Sequence, residues 1–275
     1  MPLSSAHKAA VVEFIGITGA TEKVAQRFLK NSSYRMDEAV DSFYSSGASG
    51  GFAPSVSRES ALTKQFESLR DAQDDKDKIG PDNTIKYLQN VGVDLEDASS
   101  FILLEIVKAE TIGEIKKDGF VSGWVEAGVD GNIAAQKKHV TNLVARLSKD
   151  KDLFKKVARY AFVAGKEPDQ RALALDNAVL YWTMLFAPPG RPWVGKQTGI
   201  DFFPLWTQYL TEKWTRTVSR DMWNQTLLFA EKSTEDESLS FWSPEASWPN
   251  VIDDFVAWFK ARPQGGGAME VDQSA

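Results

Sequence analysis

The sequence contains no cysteine and only two histidines, His7 and His139, among its 275 residues. Without cysteine the chain can form no disulfide, no thiolate zinc site and no thioester of its own. A Ser-His-Asp triad would have to use His139, which follows Lys137 and Lys138 in a stretch typical of a solvated helix face. The sequence therefore argues against a hydrolase built on His139.

Long apolar runs are absent as well. No segment approaches the roughly 20 apolar residues of a membrane-spanning helix, and residues 1–8 lack a charged region followed by an apolar stretch. The net charge of −6 argues against binding to nucleic acid or to an anionic membrane. We expect a cytosolic or nuclear protein whose partners are other proteins.

What the sequence does contain is helical periodicity. Three short amphipathic segments fill residues 1–46, with Thr21 as a plausible N-cap of the second, and predict a three-helix bundle. Residues 47–57, rich in Ser and Gly, are expected to be a flexible linker, and residues 263–275 a disordered tail. Residues 58–262 show one helical pattern after another without period-two alternation, so strands are not expected.

Eight of the nine tryptophans lie between Trp182 and Trp258. They indicate either a core filled by large side chains or an aromatic-rich binding surface. Trp206, Trp223 and Trp258 stand at helical positions beside other apolar residues. We therefore expect most of the tryptophans in the core.

The acidic segment 71–83 resembles a calcium-binding loop in composition only. With Ile79 aligned to the apolar position of such a loop, Asp74 is the one well-placed ligand, and Asp77 stands where the glycine belongs. Residues 116–131 fit the pattern less well. We expect EF-hand-shaped helix pairs without bound metal, and the sequence gives no indication of any other cofactor.

Three aspartates lie near the starts of C-terminal helices: Asp221, Asp253 and Asp254. Each could simply complement the positive end of its helix. Alternatively, they form an acidic surface that receives a basic partner. The apolar stripe that begins at Val251 and Ile252 places Asp253 and Asp254 on the outward side of the last helix.

The segments Ser219-Arg220-Asp221-Met222-Trp223-Asn224 and Trp248-Pro249-Asn250-Val251-Ile252-Asp253-Asp254-Phe255-Val256 resemble motifs of the defective-in-cullin-neddylation family. Lys78-Ile79-Gly80, Phe120 with Gly123-Trp124, and residues 178–182 give further support, and residues 1–46 are similar to a ubiquitin-associated (UBA-like) domain. The resemblance implies an all-α protein: a small three-helix UBA-like bundle and, over residues 58–262, a potentiating-neddylation domain of EF-hand-like helix pairs.

In function, the resemblance implies a non-catalytic, scaffold-type ligase-like factor. Such a factor promotes cullin neddylation by bridging the cullin C-terminal winged-helix region and the modifier-charged conjugating enzyme. The alternative is a ubiquitin-binding adaptor without a role in cullin modification. Ile17-Thr18-Gly19 replaces the Met-Gly-aromatic loop that supplies ubiquitin contacts in such bundles, so ubiquitin or the ubiquitin-like modifier is only a candidate partner.

Two sites follow from the resemblance. The cullin-binding patch corresponds to Asp221, to Ser247 or the adjacent Ala246, and to Asp253, with Asp254 beside it. The apolar pocket for the acetylated N-terminus of the conjugating enzyme corresponds to Ile85, Leu103, Ile112, Ile115 and Met184. These five could equally be ordinary core residues. Ala164 stands where family members have an aromatic residue near the pocket.

Overall fold

The computed structural model describes residues 5–18, 20, 22–45, 53–167 and 169–262. The chain divides into two compact units. The first contains Met1–Val91, Ile106–Lys108 and Ile115–His139, and the second Gly92–Glu105, Ala109–Glu114 and Val140–Ala275. None of the described helices is long and apolar enough to cross a membrane.

The described residues form thirteen helices and four two-residue strands. The helices are α1 Ser5–Thr18, α2 Glu22–Asn31, α3 Met36–Ser45, α4 Ala53–Leu69, α5 Pro81–Val91, α6 Ser99–Ile106, α7 Lys117–Glu126, α8 Ile133–Leu147, α9 Lys151–Gly165, α10 Leu175–Phe186, α11 Phe202–Lys213, α12 Arg220–Glu235 and α13 Asn250–Lys260. The strands are β1 Lys78–Ile79, β2 Ile115–Lys116, β3 Ala172–Leu173 and β4 Val218–Ser219. The prediction of an all-α protein is confirmed.

Helices α1 to α3 form the predicted three-helix bundle around a phenylalanine cluster. The ring of Phe43 packs edge-on against Phe14 and Phe28, with centroid distances of 5.6 and 5.3 Å. Leu29 and Ala39 are also fully buried in this cluster. The proposed N-cap, Thr21, lies outside the described residues. The oxygen of the Thr18 side chain accepts a hydrogen bond from the backbone N–H of Ala20 at 3.3 Å, just past the end of α1.

A buried hydrogen-bond chain organises the rest of the first unit. The indole N–H of Trp124 donates to the Tyr87 hydroxyl at 2.9 Å, and that hydroxyl donates to Gln136 Oε1 at 3.1 Å. Gln136 and Gln65 exchange amide hydrogen bonds of 2.9 and 2.8 Å. Phe120 packs against Tyr87 at a centroid distance of 5.5 Å. Burial raises the pKa of the Tyr87 hydroxyl, so it stays protonated.

The expectation that the chain has no strands was wrong in one respect. β1 pairs antiparallel with β2, and β3 with β4. Because Ala172–Leu173 pairs with Val218–Ser219, these two residues are extended and α10 begins at Leu175. Strands of two residues are too short for a period-two pattern to appear in the sequence. Each strand leads directly into a helix, as in EF-hand pairs.

Tryptophan rings fill the core of the second unit. Trp182 and Trp223 stack at a centroid distance of 5.0 Å, and Trp206 packs edge-on against Phe255 at 5.1 Å. The Trp223 indole N–H donates to the carbonyl oxygen of Ala158 at 2.9 Å. Of the eight C-terminal tryptophans, the fully buried ones are Trp182, Trp193, Trp206 and Trp223, and the half-buried ones are Trp214, Trp242, Trp248 and Trp258. The core prediction therefore holds for half of them.

Trp258 was expected in the core but lies half-buried. Its indole N–H reaches the Glu212 carboxylate at 3.2 Å, and the Arg262 guanidinium stacks on its ring at 4.5 Å. These polar contacts explain how it sits at the surface.

The fourth helix begins inside the predicted linker. α4 starts at Ala53, so residues 53–57 are helical, and a proline at position 54 is compatible with a first helical turn because its missing N–H has no partner to lose there. Residues 46–52 and the predicted tail, 263–275, lie outside the described residues.

Candidate functional site

Asp221 lies at the exposed start of α12. The side-chain oxygen of Ser219 accepts a hydrogen bond from the Met222 backbone N–H at 3.1 Å and caps the helix. Asp221 stands in the first turn, where the helix dipole favours a negative charge. Met222 and Trp223 turn into the core, which leaves the Asp221 carboxylate facing solvent.

The aspartate pair of α13 divides into two environments. Asp253 is half-buried, and its Oδ1 accepts a hydrogen bond of 2.8 Å from the indole N–H of Trp242. Asp254 is exposed and belongs to no ion pair among the described residues. The expectation that both aspartates point outward therefore holds fully for Asp254 and only in part for Asp253.

Asp221 and Asp254 line one groove of about 560 Å³, which we call the α12–α13 groove. Its lining residues are Lys213, Trp214, Thr215, Arg216, Thr217, Ser219, Asp221, Met222, Pro249, Asn250, Val251 and Asp254. Carboxylates and cations thus share the same cleft. Sequence reasoning did not single out Lys213, Trp214 or Arg216. The sequence feature that could have indicated them is a pair of cationic residues around an aromatic residue, shortly before the Ser219-Arg220-Asp221 motif.

Ser247 and Ala246 precede the groove along the chain. Ser247 is exposed and Ala246 is half-buried, and neither belongs to the lining. The next residue, Trp248, packs edge-on against Phe229 and Phe241 at 5.8 and 6.0 Å. This packing anchors the segment that leads into Pro249. Ser247 precedes Pro249, the first groove residue of this segment, by two positions in the sequence.

The five residues of the predicted apolar pocket fall into two groups. Leu103, Ile115 and Met184 are buried, whereas Ile85 and Ile112 expose 44% and 39% of their surface. Exposure of that extent is more than a core position has, so the interpretation as ordinary core residues fits only the first three. Ile85 and Ile115 belong to the first unit and the other three to the second. The pocket remains a prediction.

The acidic loop after α4 is closed by an arginine. The Arg70 guanidinium donates to the backbone carbonyls of Asp71 and Asp74, at 3.0 and 2.9 Å. Asp74 Oδ2 accepts from the backbone N–H groups of Asp71 and Gly80, and these hydrogen bonds lower the pKa of Asp74. Within the described residues no group of three or more metal-ligating side chains comes together. The guanidinium thus binds oxygens of the kind that a cation coordinates in a calcium loop.

The sequence predicted that His139 lies on a solvated helix face, and this prediction was wrong. His139 is half-buried, with its ring edge-on to Trp124 at a centroid distance of 6.1 Å. Burial lowers the pKa of the imidazole. Packing against an aromatic ring gives this histidine a structural role.

The N-terminal bundle exposes apolar side chains of its own. Val12, Ile17 and Tyr44 are 71%, 50% and 45% exposed. The Tyr44 hydroxyl donates to the backbone carbonyl oxygen of Ile17 at 3.3 Å, which brings the ends of α1 and α3 together.

Known proteins match this chain both in the region of the α12–α13 groove and in the N-terminal bundle. A family model for cullin binding matches residues 135–258, which include the α12–α13 groove, and a model for a UBA-like domain matches residues 8–50. Defective in cullin neddylation protein 1 of Pyricularia oryzae is 45% identical over 99% of this chain and 100% of its own length. The protein of that name from Yarrowia lipolytica is 28% identical over 88% of this chain and 92% of its own. DCN1-like protein 5 of Homo sapiens is 28% identical over 67% of this chain and 72% of its own.

Proposed function

This chain belongs to the family of defective in cullin neddylation protein 1, and we propose that it promotes cullin neddylation as a non-catalytic scaffold. In this role it holds the cullin C-terminal winged-helix region against the modifier-charged conjugating enzyme. Family membership rests on 45% identity over nearly the whole chain and supports a role in cullin neddylation. The bridging role and the residues that perform it are the proposal.

The observation that carries the proposal is the α12–α13 groove within the cullin-binding match. Asp221 and Asp254 line it with exposed carboxylates that have no ion-pair partner among the described residues. Carboxylates free of internal partners can pair with Arg or Lys side chains of a cullin without first breaking another ion pair. Such contacts at a partly exposed surface weaken as salt concentration rises.

Asp253 contributes in a second way. One of its oxygens accepts the Trp242 N–H, which ties the segment before α13 to the helix. The other oxygen has no hydrogen-bond partner among the described residues and is available to a cullin side chain. Replacing Asp253 with alanine would therefore disturb both the local structure and the charge, whereas asparagine retains an acceptor for Trp242.

The scaffold needs no catalytic group of its own. The chain has no cysteine and so cannot carry the thioester itself. In the proposed role both the thioester and the target lysine belong to its partners. Holding two reactants in a productive orientation can supply several kcal/mol of a barrier. On the conjugating-enzyme side, the exposed apolar residues Ile85 and Ile112 are the members of the predicted pocket that are accessible to a partner.

The test is the rate of cullin modification in a purified conjugation reaction. Wild-type protein should accelerate the reaction, and Asp221→Asn/Asp253→Asn should reduce that stimulation about tenfold or more, since a charge-assisted hydrogen bond contributes about 1.5–3 kcal/mol. Asp176→Asn is the matched control, because Asp176 is also an exposed aspartate in a first helical turn. Failure of the wild-type protein to stimulate modification of several cullins would refute the proposal.

The exposed apolar side chains of the UBA-like bundle favour a second candidate function. Ile17 and Tyr44 lie within the residues matched to a UBA-like domain, and their exposure suits them to contact ubiquitin or the ubiquitin-like modifier. A ubiquitin-binding adaptor would show saturable binding of ubiquitin to the full chain, lost in Ile17→Asp, and no effect on cullin modification.

A further inference from the structure

The α12–α13 groove carries charges of both signs. Lys213 ends α11, and Arg216 lies in the short connection between α11 and β4. Both line the groove together with Asp221 and Asp254. A site that received only basic side chains would gain nothing from cations in its lining, because like charges repel a basic partner.

None of these four charged groups takes part in an ion pair within the described part of the chain. Elsewhere the protein does pair its surface charges, as in Lys155–Glu231 at 2.7 Å and Lys196–Glu235 at 2.7 Å. The groove therefore contains cations and carboxylates that do not neutralise one another. Both signs are available to an incoming partner.

Trp214 contacts one of the two cationic residues of the groove. It is half-buried, and the Arg216 guanidinium lies over its ring at 5.5 Å from the centroid. Stacking on an aromatic face orients a guanidinium but leaves its edge N–H donors free. Those donors suit a carboxylate, which can accept two parallel hydrogen bonds from the guanidinium.

We propose that Lys213 and Arg216 form a cationic half of the cullin-binding groove, which binds an Asp or Glu side chain of the same cullin segment that places an Arg or Lys on Asp221 and Asp254. This inference rests on the proposed function, and it adds specificity-determining residues to the site. A groove lined by both positive and negative side chains fixes the direction in which a peptide segment docks, because the reversed segment would place like charges together. It also rejects basic segments that an acidic surface alone would attract.

The test is calorimetric binding of the cullin C-terminal winged-helix region to the full chain. Lys213→Gln/Arg216→Gln should weaken binding at least tenfold. The control, Lys149→Gln/Arg159→Gln, removes two exposed cations of the same unit that do not line the groove, and it should change binding less than twofold. Both double variants shift the net charge from −6 to −8, so their comparison isolates position from total charge.

The sign of the effect separates the inference from a general charge effect. If only the overall acidity of the protein mattered, removing two cations would tighten the binding of a basic partner, and both variants would behave alike. Equal or tighter binding by Lys213→Gln/Arg216→Gln, while Asp221→Asn weakens binding, would overturn the inference and leave the proposed function intact. If the wild-type protein does not bind the cullin region at all, the proposed function itself fails.

A charge reversal strengthens the test. Lys213→Glu/Arg216→Glu should bind one charge-reversed cullin, with its contacting Asp or Glu changed to Lys, more tightly than it binds the unmodified cullin. A scan of the acidic residues of the winged-helix region would find that position. If no reversal restores binding, no direct pairing takes place and the inference is wrong.

Discussion

The two units of this protein organise their cores by different means. In the first unit, a chain of hydrogen bonds runs from Trp124 through Tyr87 to Gln136 and Gln65. In the second, tryptophan rings pack on one another, and the indole N–H groups of Trp182 and Trp206 find no partner among the described residues. One core depends on satisfied polar groups and the other on buried aromatic area.

The magnitudes explain how the second core tolerates unpaired donors. Burying a tryptophan removes about 200 Å² from water, which at about 25 cal/mol per Å² contributes about 5 kcal/mol. An unsatisfied buried donor costs about 1–3 kcal/mol. The burial term is therefore the larger. In the first unit the same arithmetic makes the Tyr87 hydroxyl important, because its removal leaves the buried indole N–H of Trp124 unpaired, while Gln136 Oε1 keeps its hydrogen bond from Gln65.

The largest effect is expected from the aromatic core. Trp182→Ala removes a ring that stacks on Trp223 and packs edge-on against Trp206. It should lower the free energy of unfolding by about 3–5 kcal/mol, measured by urea denaturation followed by far-ultraviolet circular dichroism. Leu180→Ala on the same helix is the control, since Leu180 is 54% exposed and should change the free energy by no more than about 0.5 kcal/mol. A loss below about 1 kcal/mol for Trp182→Ala would contradict the importance assigned to this core.

An intermediate effect is expected from the polar core. Tyr87→Phe removes the hydroxyl that accepts from Trp124 and donates to Gln136, and should lower the free energy of unfolding by about 1–3 kcal/mol. Tyr181→Phe is the matched control, because Tyr181 is also buried and the described residues offer its hydroxyl no hydrogen-bond partner. Equal losses in the two variants would remove the distinction between the two cores.

The smallest effect concerns pH and the end of α12. Asp236 accepts hydrogen bonds from the backbone N–H and hydroxyl groups of Ser238 and Ser240, which lower its pKa from 3.8 to about 2. Because the folded pKa is the lower one, the stabilisation is complete above pH 3.8 and is lost as the pH falls through about 2. In urea denaturation the midpoint of the wild-type protein should therefore fall more steeply over this range than that of Asp236→Asn. Asp152→Asn, at an exposed position on α9, should keep the wild-type slope, and equal slopes for all three proteins would refute the assignment.

The helical elements and the motif positions could be predicted from the sequence. The surroundings of individual side chains could not always be predicted. Helical period predicts a core-facing stripe of Val251, Ile252, Phe255, Val256 and Phe259 on α13. The first four are buried, whereas Phe259 is half-buried. The same period places Asp253 and Asp254 on the outward side and cannot distinguish them. Their difference arises from Trp242, whose position beside Asp253 depends on the path of the chain between α12 and α13.

The pairing of the short strands could not be predicted from the sequence for a similar reason. Ala172–Leu173 pairs with Val218–Ser219, more than forty residues further along the chain, and two residues carry no periodic signal. Trp258 was assigned to the core by helical position, yet Glu212 and Arg262 hold it at the surface.

The sequence by itself determined the all-helical fold, the N-terminal bundle, the lack of any thiol chemistry and the family. These follow from local periodicity, composition and short motifs, which do not depend on how distant segments meet. Only the tertiary structure decided that Lys213 and Arg216 share a groove with Asp221 and Asp254, and that Asp253 is tied to Trp242. Those contacts join segments that are separate in the chain, and their geometry is set by the packing of α11, α12 and α13 around one aromatic core.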